Sequence, residues 1–553
     1  MGIVRVSVMA IVVFLVAIPP AARAQSALSP VAGAAAVHAF GVDAAAAGAA
    51  AVVDPPGIDW IRIPADWSAI EPKRAVYSWG ALDAEIRQAD AQRRHVVVLL
   101  EHVPQWAAMT PDAPPFVWSH QPPKRVADWS GFVAAAAQRY HGRVAAWQVE
   151  PSLDLADFRG TTRDYQEMLH AVRVAAGHAD PNALVVAAAP GGLDLPYVQA
   201  MLRKDGNDFD AIMLYPRGRQ PADVLRALST IRARILNDAR HQLWLNSVQA
   251  WGAPVQLAAV GLAEGVTREF WPTVDPAVTT AMRYLDGARF IGRLDRGPGV
   301  AALVFVKAGA PVVVGWTATG TQSVPLVTAG VPALVGATGQ PLIAAPGPVG
   351  TVSFGPEPVF VTNPGVAVAQ EAVRTAEQGP LVIPRDPASD FSNADTVSVK
   401  LGAVDDEHGL YNQRLRGLPS GAVVAVTMDG SPAVRTDPTS EAVYVYFNID
   451  DSFAYFNDGR YDFLVTVEVH RASAAQLVGF NLMYDSMTGY RFGPWQWVDA
   501  GAGWTTYTFR ISDADFSKTW GWDFAVNGAG DRKENLVVRS VTVKRVPASA
   551  STQ

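Results

Sequence analysis

GIDWIRIPAD (57–66), LDAEIRQADAQRR (82–94) and HVVVLLEHV (95–103) read as strand, helix and strand. The outer two are continuous apolar, β-branched runs of the kind that suits strands buried on both faces. Strand, helix and strand in succession imply a parallel pair joined by a right-handed crossover. The same alternation extends in both directions. Further strands are expected at 36–43, 143–151, 183–191, 209–218 and 241–251, and helices at 128–142, 163–180, 195–206 and 222–240. In the helix at 163–180, Tyr165, Met168, Leu169 and Val172 fall on one face. Seven parallel strands over some two hundred residues predict an α/β TIM-type barrel. An eighth strand is not evident. Pro254 to Trp271 would have to supply it and reads poorly as a strand, so the barrel is expected to be irregular there.

A helix is expected from Pro276 to about Leu294. After it the pattern changes to short strands set off by Gly and Pro, at 300–309, 311–320, 323–327, 332–336 and 357–363. These predict a small β-sandwich over 296–369. A weakly patterned linker over 370–390 leads to a second all-β run over 391–546, long enough for a jelly-roll sandwich. Residues 547–553 form a short polar tail. The chain has 553 residues, which accommodates a barrel and two smaller domains. Its 40 prolines and 46 glycines fit the many turns of such an arrangement.

The first 24 residues read as an export signal: Arg5, an apolar run from Val6 to Ile18, then Ala22-Arg23-Ala24 as a cleavage site. The barrel region is then 25–295, and the expected location is secreted, periplasmic or at the cell surface. No later stretch is long and apolar enough for a membrane helix. With no cysteine, disulfide scaffolds, thiolate metal sites and cysteine nucleophiles are excluded. A net charge of −7 without a basic stripe argues against a nucleic-acid partner.

In a parallel barrel the chemistry lies at the carboxyl ends of the strands. There the sequence places Glu150-Pro151, Glu101-His102, Asp66 with Glu71, Asp194, and Tyr215 with Arg217. Tryptophans Trp60, Trp67, Trp106, Trp147, Trp244 and Trp251 fall in or just beyond strands. Aromatic faces suit stacking on sugar rings, and carboxylates suit protonation of a glycosidic oxygen. For each tryptophan taken singly, barrel packing is the alternative.

Residues 40–251 resemble the clan A glycoside hydrolases, retaining (β/α)8 enzymes, especially the family 39 and family 5 types. The resemblance is carried by Gly57-Ile58-Asp59-Trp60-Ile61-Arg62-Ile63, Trp67-Ser68-Ala69-Ile70-Glu71-Pro72, Tyr77-Ser78-Trp79 with Leu82-Asp83, and Val103-Pro104-Gln105-Trp106-Ala107. It continues through Arg139-Tyr140-His141-Gly142, Trp147-Gln148-Val149-Glu150-Pro151, Asp180-Pro181, Phe209-Asp210-Ala211-Ile212 and Leu243-Trp244-Leu245. The resemblance implies a double displacement with Glu150 as acid/base. It also implies that Arg62 points into the barrel; by their place at strand ends, Trp67, His102, Trp106, Tyr215, Trp244 and Trp251 join it as candidate substrate-binding residues. Two departures stand out. Val149 precedes Glu150 where the group has asparagine. Strand seven reads Leu243-Trp244-Leu245-Asn246-Ser247, with Ser247 where the nucleophilic glutamate belongs. Serine cannot form the same glycosyl ester, and nothing in the sequence activates it.

Three readings follow: a catalytically degenerate barrel that binds polysaccharide or oligosaccharide, a hydrolase or lyase-like enzyme with a relocated second carboxylate such as Glu101 or Asp194, or a structural component of a polysaccharide export or surface assembly. The C-terminal run resembles jelly-roll domains appended to carbohydrate-active enzymes, through Tyr484-Asp485-Ser486, Trp504-Thr505-Thr506 and Ile511–Phe516. Trp495 and Trp497 alternate at strand spacing, share a face, and are its candidate sugar-stacking pair. No cofactor or catalytic metal is expected. Asp450-Asp451 and Asp513/Asp515 offer oxygen ligands to a structural calcium ion, with solvated turn acids as the alternative.

Overall fold

The computed structural model describes residues 38–548 except 45–57, 150–157, 159, 190–192, 194–197, 199–200, 203–205, 217–219, 235–239, 248–252, 298, 344–349, 380, 414–420, 441, 458, 472–476, 487–488, 500–502, 519–521 and 529–534. Eight parallel strands close into a barrel: β1 (Phe40–Asp43), β2 (Trp60–Asp66), β3 (His95–Glu101), β4 (Ala146–Val149), β5 (Leu184–Ala189), β6 (Ala211–Leu214), β7 (Gln242–Asn246) and β8 (Val266–Trp271). Around it lie α1 (Trp67–Ile70), α2 (Gly80–Ala91), α3 (Pro115–Ser119), α4 (Val126–Arg139), α5 (Thr162–Ala179), α6 (Pro221–Arg234), α7 (Pro254–Ala263) and α8 (Pro276–Leu285). The eighth strand is therefore present. It hides in the sequence because Thr267, Arg268 and Glu269 interrupt its apolar pattern, and because Pro254 opens a helix before it. The expected irregularity survives as a register shift between Leu243 and Trp244 where β7 meets β8.

The helix read to Leu294 stops at Leu285, where Gly287 takes φ +69°, and Arg289–Arg293 forms β9. That strand edges a six-stranded sheet with β10 (Val300–Lys307), β11 (Ala310–Thr317), β13 (Leu334–Gly336), β14 (Pro341–Leu342) and β16 (Val359–Val361). β12 (Gln322–Pro325) and β15 (Thr351–Phe354) form a second sheet of this sandwich. Part of the expected linker is α9 (Val366–Ala376), which seats Val368 and Ala372 in the sandwich core. Gly292 (φ +144°) allows the contact, since a Cβ there would lie 2.1 Å from the Ala372 carbonyl oxygen.

The C-terminal domain is a two-sheet antiparallel sandwich. The seven-stranded sheet holds β17 (Thr396–Lys400), β18 (Asp406–His408), β20 (Val424–Met428), β21 (Ser431–Arg435), β23 (Tyr461–Arg471), β27 (Thr505–Ile511) and β29 (Leu536–Pro547). The six-stranded sheet holds β19 (Leu410–Gln413), β22 (Tyr444–Ile449), β24 (Gly479–Ser486), β25 (Gly489–Phe492), β26 (Gln496–Trp497) and β28 (Phe524–Asn527). The sandwich docks on the barrel. Arg385 is buried between Asp223 of α6 and Asp450, whose Oδ1 accepts from Nη2 at 2.8 Å, and Tyr455 and Phe456 join the barrel's apolar cluster. Among the described residues no helix is long and apolar enough to cross a membrane.

Candidate functional site

Most of the sequence pieces shared with clan A barrels turn out to be scaffold. Asp83 accepts hydrogen bonds from Arg139 Nε (2.9 Å) and Tyr140 OH (3.0 Å), tying α2 to the end of α4. Asp180 Oδ2 accepts from Gly142 N (2.7 Å) and Asp210 Oδ2 from Val185 N (2.8 Å), fixing the turns that launch strands. Glu71 is buried and holds both tryptophans of its neighbourhood: its Oε2 accepts from Trp67 Nε1 and its carbonyl from Trp106 Nε1, each at 2.7 Å. Trp67, expected to bind substrate, is instead fully buried against Trp129, Phe132 and Trp106. Trp106 is half-buried, with the Arg74 guanidinium 4.6 Å over its ring. Trp244, also expected at the site, packs inside the barrel against Trp60 and Phe270 and donates to Gln242 Oε1. All three positions are explained by packing of large rings where strands and helices meet.

The barrel interior near the strand ends holds a buried polar network. Arg62 Nη1 donates to Asp43 Oδ2 (2.6 Å) and its Nε to Gln148 Oε1 (3.0 Å). Asn246 Nδ2 donates to the same Asp43 oxygen (2.8 Å), and Gln148 Nε2 donates to the Tyr215 hydroxyl (3.1 Å). Strands one, two, four and seven and the residue ending strand six are thus joined, and every member is at most 3% exposed. On the other side of the barrel wall, facing the helices, Ser247 Oγ donates to Glu269 Oε1 at 3.0 Å. Burial pushes the Glu269 carboxyl up to about 8, with the serine bond working against the rise. Arg62 does point inward, as the resemblance implies. Its buried charge is met by Asp43, a carboxylate that the sequence reading passed over, as it did Gln148, Asn246 and Glu269. The available signals were the polar end of strand one and the spacing of Gln148, two residues before Glu150.

A second group sits where β2 and β3 end side by side, with Asp66 opposite Glu101. Asp66 caps α1: its Oδ1 accepts from Ser68 Oγ (2.6 Å) and Ala69 N (3.2 Å). Its Oδ2 is left for His102 Nδ1 at 3.2 Å, while Glu101 Oε1 is 3.9 Å from that nitrogen. His102 takes φ +55°, and its ring lies 5.1 Å from that of His120. Burial works to lower the His102 pKa, but the Asp66 hydrogen bond and the two carboxylates outweigh it and hold it above its ordinary value. Asp66 is correspondingly lowered: burial opposes this, and the bonds to His102 and Ser68 prevail. Glu150, Asp194, Arg217 and Trp251 lie outside the described residues.

In the C-terminal sandwich, Trp495 and Trp497 do share a face, their rings meeting edge-on at 5.9 Å. Trp495 lies over Gly479, where a Cβ would come within 2.3 Å of its Nε1, and Trp497 is half exposed. A groove of 230 Å³ is lined by Pro494, Gln496 and residues 507–510, with neither tryptophan among its walls. Of the acids considered for calcium, Asp450 is met by Arg385, Asp451 by Lys518 and Asp513 by Arg491, and Asp515 is fully buried. Metal-like spacing occurs at the opposite end of the barrel in His38, Asp59 and Asp286. There the His38 ring bonds to Asp286 at 2.6 Å, and Asp286 Oδ1 accepts from Ala39 N at 2.8 Å.

No protein-family model and no curated protein matches the chain. Solved structures do. A family 39 glycoside hydrolase from the gut symbiont Bacteroides cellulosilyticus WH2 matches 59% of this chain over 81% of its own length, at 15% identity and a TM-score of 0.44. A GH30 endoxylanase from Clostridium papyrosolvens C71 matches 59% over 96%, at 14% identity and 0.42. A glucosidase from Croceicoccus marinus matches 94% over 98%, at 13% identity and 0.38. The fold is a closed barrel of eight parallel strands followed by antiparallel β-sheets.

Proposed function

We propose that this is an exported protein that binds polysaccharide and whose glycoside hydrolase-like barrel has lost its catalytic pair. The observation that carries the reading is the end of strand seven. Asn246 and Ser247 stand there, bonded to Asp43 and Glu269, and the interior arginine is already paired. A retaining glycosidase needs two carboxylates facing one sugar across roughly 5–5.5 Å. Here the interior carboxylate Asp43 is committed to Arg62, and strand seven ends in Asn246 and Ser247 with no carboxylate. Binding is supported by the exposed Trp497 beside Trp495. The test is turnover and binding of a panel of β-linked glycans by the intact protein, with Glu150→Gln and Trp497→Ala alongside. Binding without turnover, weakened in Trp497→Ala, is the expected result. Hydrolysis that Glu150→Gln abolishes would refute the loss of catalysis. One observation favours that alternative: Glu101 and Asp66 keep two carboxylates beside His102 at the strand ends.

A further inference from the structure

At the amino-terminal end of the barrel, away from the strand ends described above, three side chains with metal-ligand atoms converge. His38 precedes β1, Asp59 precedes β2, and Asp286 closes α8. His38 Nδ1 lies 3.2 Å from Asp59 Oδ2 and 2.6 Å from Asp286 Oδ2. The three ligand atoms all fall within 4.8 Å of one another. His38 and Asp286 are 248 residues apart in the chain. The barrel brings them together by pairing β1 with both β2 and β8, the strand that leads into α8.

The group has a supporting frame. Asp286 is buried, and its other oxygen, Oδ1, accepts from Ala39 N at 2.8 Å. That bond turns Oδ2 toward the imidazole, as a supporting partner orients a ligating carboxylate. The Asp59 carbonyl accepts from His95 N at 2.7 Å, which fixes its backbone at the head of β2. His38 and Asp59 face solvent, so an ion can enter without opening the core. Lys307 and Arg268 act on Asp286 from nearby, and both are held elsewhere. Lys307 Nζ donates to the Arg283 carbonyl at 2.7 Å, and the Arg268 guanidinium lies 4.3 Å over the Trp60 ring. A hydrogen bond is directional, so one proton on Nδ1 cannot serve two carboxylates equally. A divalent cation binds all three atoms at once.

We propose that His38, Asp59 and Asp286 form a zinc site that staples the start of β1 to the start of β2 and the end of α8. One imidazole and two carboxylates suit Zn2+, with solvent in the fourth tetrahedral position. Calcium and magnesium instead favour all-oxygen shells. Ligands at about 2.0–2.2 Å from a tetrahedral ion stand about 3.3 Å from one another. The Asp59 contact is already close to that spacing. The Asp286 contact opens by about 0.7 Å as Zn2+ replaces the Nδ1 proton, which passes to solvent. The exposed His38 ring is free to make that movement. Zinc binding here does not depend on whether the protein binds glycan.

Equilibrium dialysis of the full chain against Zn2+ tests it, with the protein free of any affinity tag and first stripped with EDTA. A single Zn2+ per chain is expected, and it should raise the melting temperature, since a ligand of the folded state stabilises that state. His38→Ala and Asp59→Asn are each expected to weaken binding about tenfold or more, at least what the loss of a mere supporting partner costs. His170→Ala removes a histidine paired with one carboxylate, Asp208, and should leave binding unchanged. Where a variant fails to fold, the histidine ring resonances of the wild type decide, and those of His38 should shift with Zn2+. No zinc binding, binding unmoved in folded His38→Ala or Asp59→Asn, a zinc-induced shift confined to other histidines, or preference for Ca2+ would each overturn the proposal.

Discussion

Glu269→Gln removes one buried proton-binding site from between the barrel wall and its helices and almost nothing else. The carboxyl is 1% exposed, sits between β7 and β1, and accepts from Ser247 Oγ. Burial raises it from 4.5 to about 8. The folded protein therefore keeps the proton over a range in which the unfolded chain has released it. The sign follows: the contribution is fully present below pH 4.5 and is lost as the pH rises through about 8. At about 1.4 kcal/mol per pH unit, the barrel loses about 4–5 kcal/mol across that window. Glutamine keeps the shape and stays neutral. Wild type and variant should unfold alike near pH 4.5, and the variant should be the more stable by about 4–5 kcal/mol above pH 8. Urea unfolding followed by tryptophan fluorescence at pH 4.5, 6.5 and 8.5 measures the difference, with Trp60 and Trp244 inside the same barrel as reporters. Taking the difference between the two proteins cancels every other titrating group. A difference that does not change with pH, or that grows toward low pH, would refute the buried neutral acid.

Asp43→Asn leaves the Arg62 guanidinium buried without its charge partner and should cost the barrel about 3–5 kcal/mol by denaturant titration. Arg385→Ala removes the cation shared by buried Asp223 and Asp450. It should cost a similar amount, and calorimetry should then show the barrel and C-terminal sandwich melting apart rather than together. Asp66→Asn removes the hydrogen bond that raises the His102 pKa, so the imidazole proton resonances should titrate at lower pH than in the wild type. Ser247→Glu adds a second carboxyl beside Glu269 without freeing Arg62. It should therefore produce no glycosidase activity on β-linked p-nitrophenyl glycosides and should lower the barrel's melting temperature.

Seven of the eight barrel strands were legible because their apolar runs are continuous, as burial on both faces requires. The eighth was not, because Arg268 and Glu269 occupy strand positions that a parallel barrel usually fills with apolar residues. Arg268 nevertheless lies 4.3 Å over the Trp60 ring, and Glu269 hydrogen-bonds across to strand seven. The tryptophans show the opposite error. Trp67 and Trp244 fall at strand ends as binding residues do, but their rings pack inward, and sequence spacing cannot separate a ring facing the core from one facing a ligand. The Trp495 and Trp497 rings meet edge-on, with Trp495 just ahead of the short strand that carries Trp497.

What the chain settles by itself is composition at each position. A parallel barrel follows from the alternation of strands and helices, and the missing glutamate at strand seven is a fact of covalent order. The pairing of the buried polar groups was decided elsewhere. Asp43 meets Arg62 across 19 residues and Asn246 across 203. Arg62 lies beside Asp43 on the neighbouring strand, whereas Asn246 becomes a neighbour of Asp43 only when the barrel closes. A buried charge must be answered by whatever group lies within reach, and reach is a property of the closed barrel rather than of the order of residues.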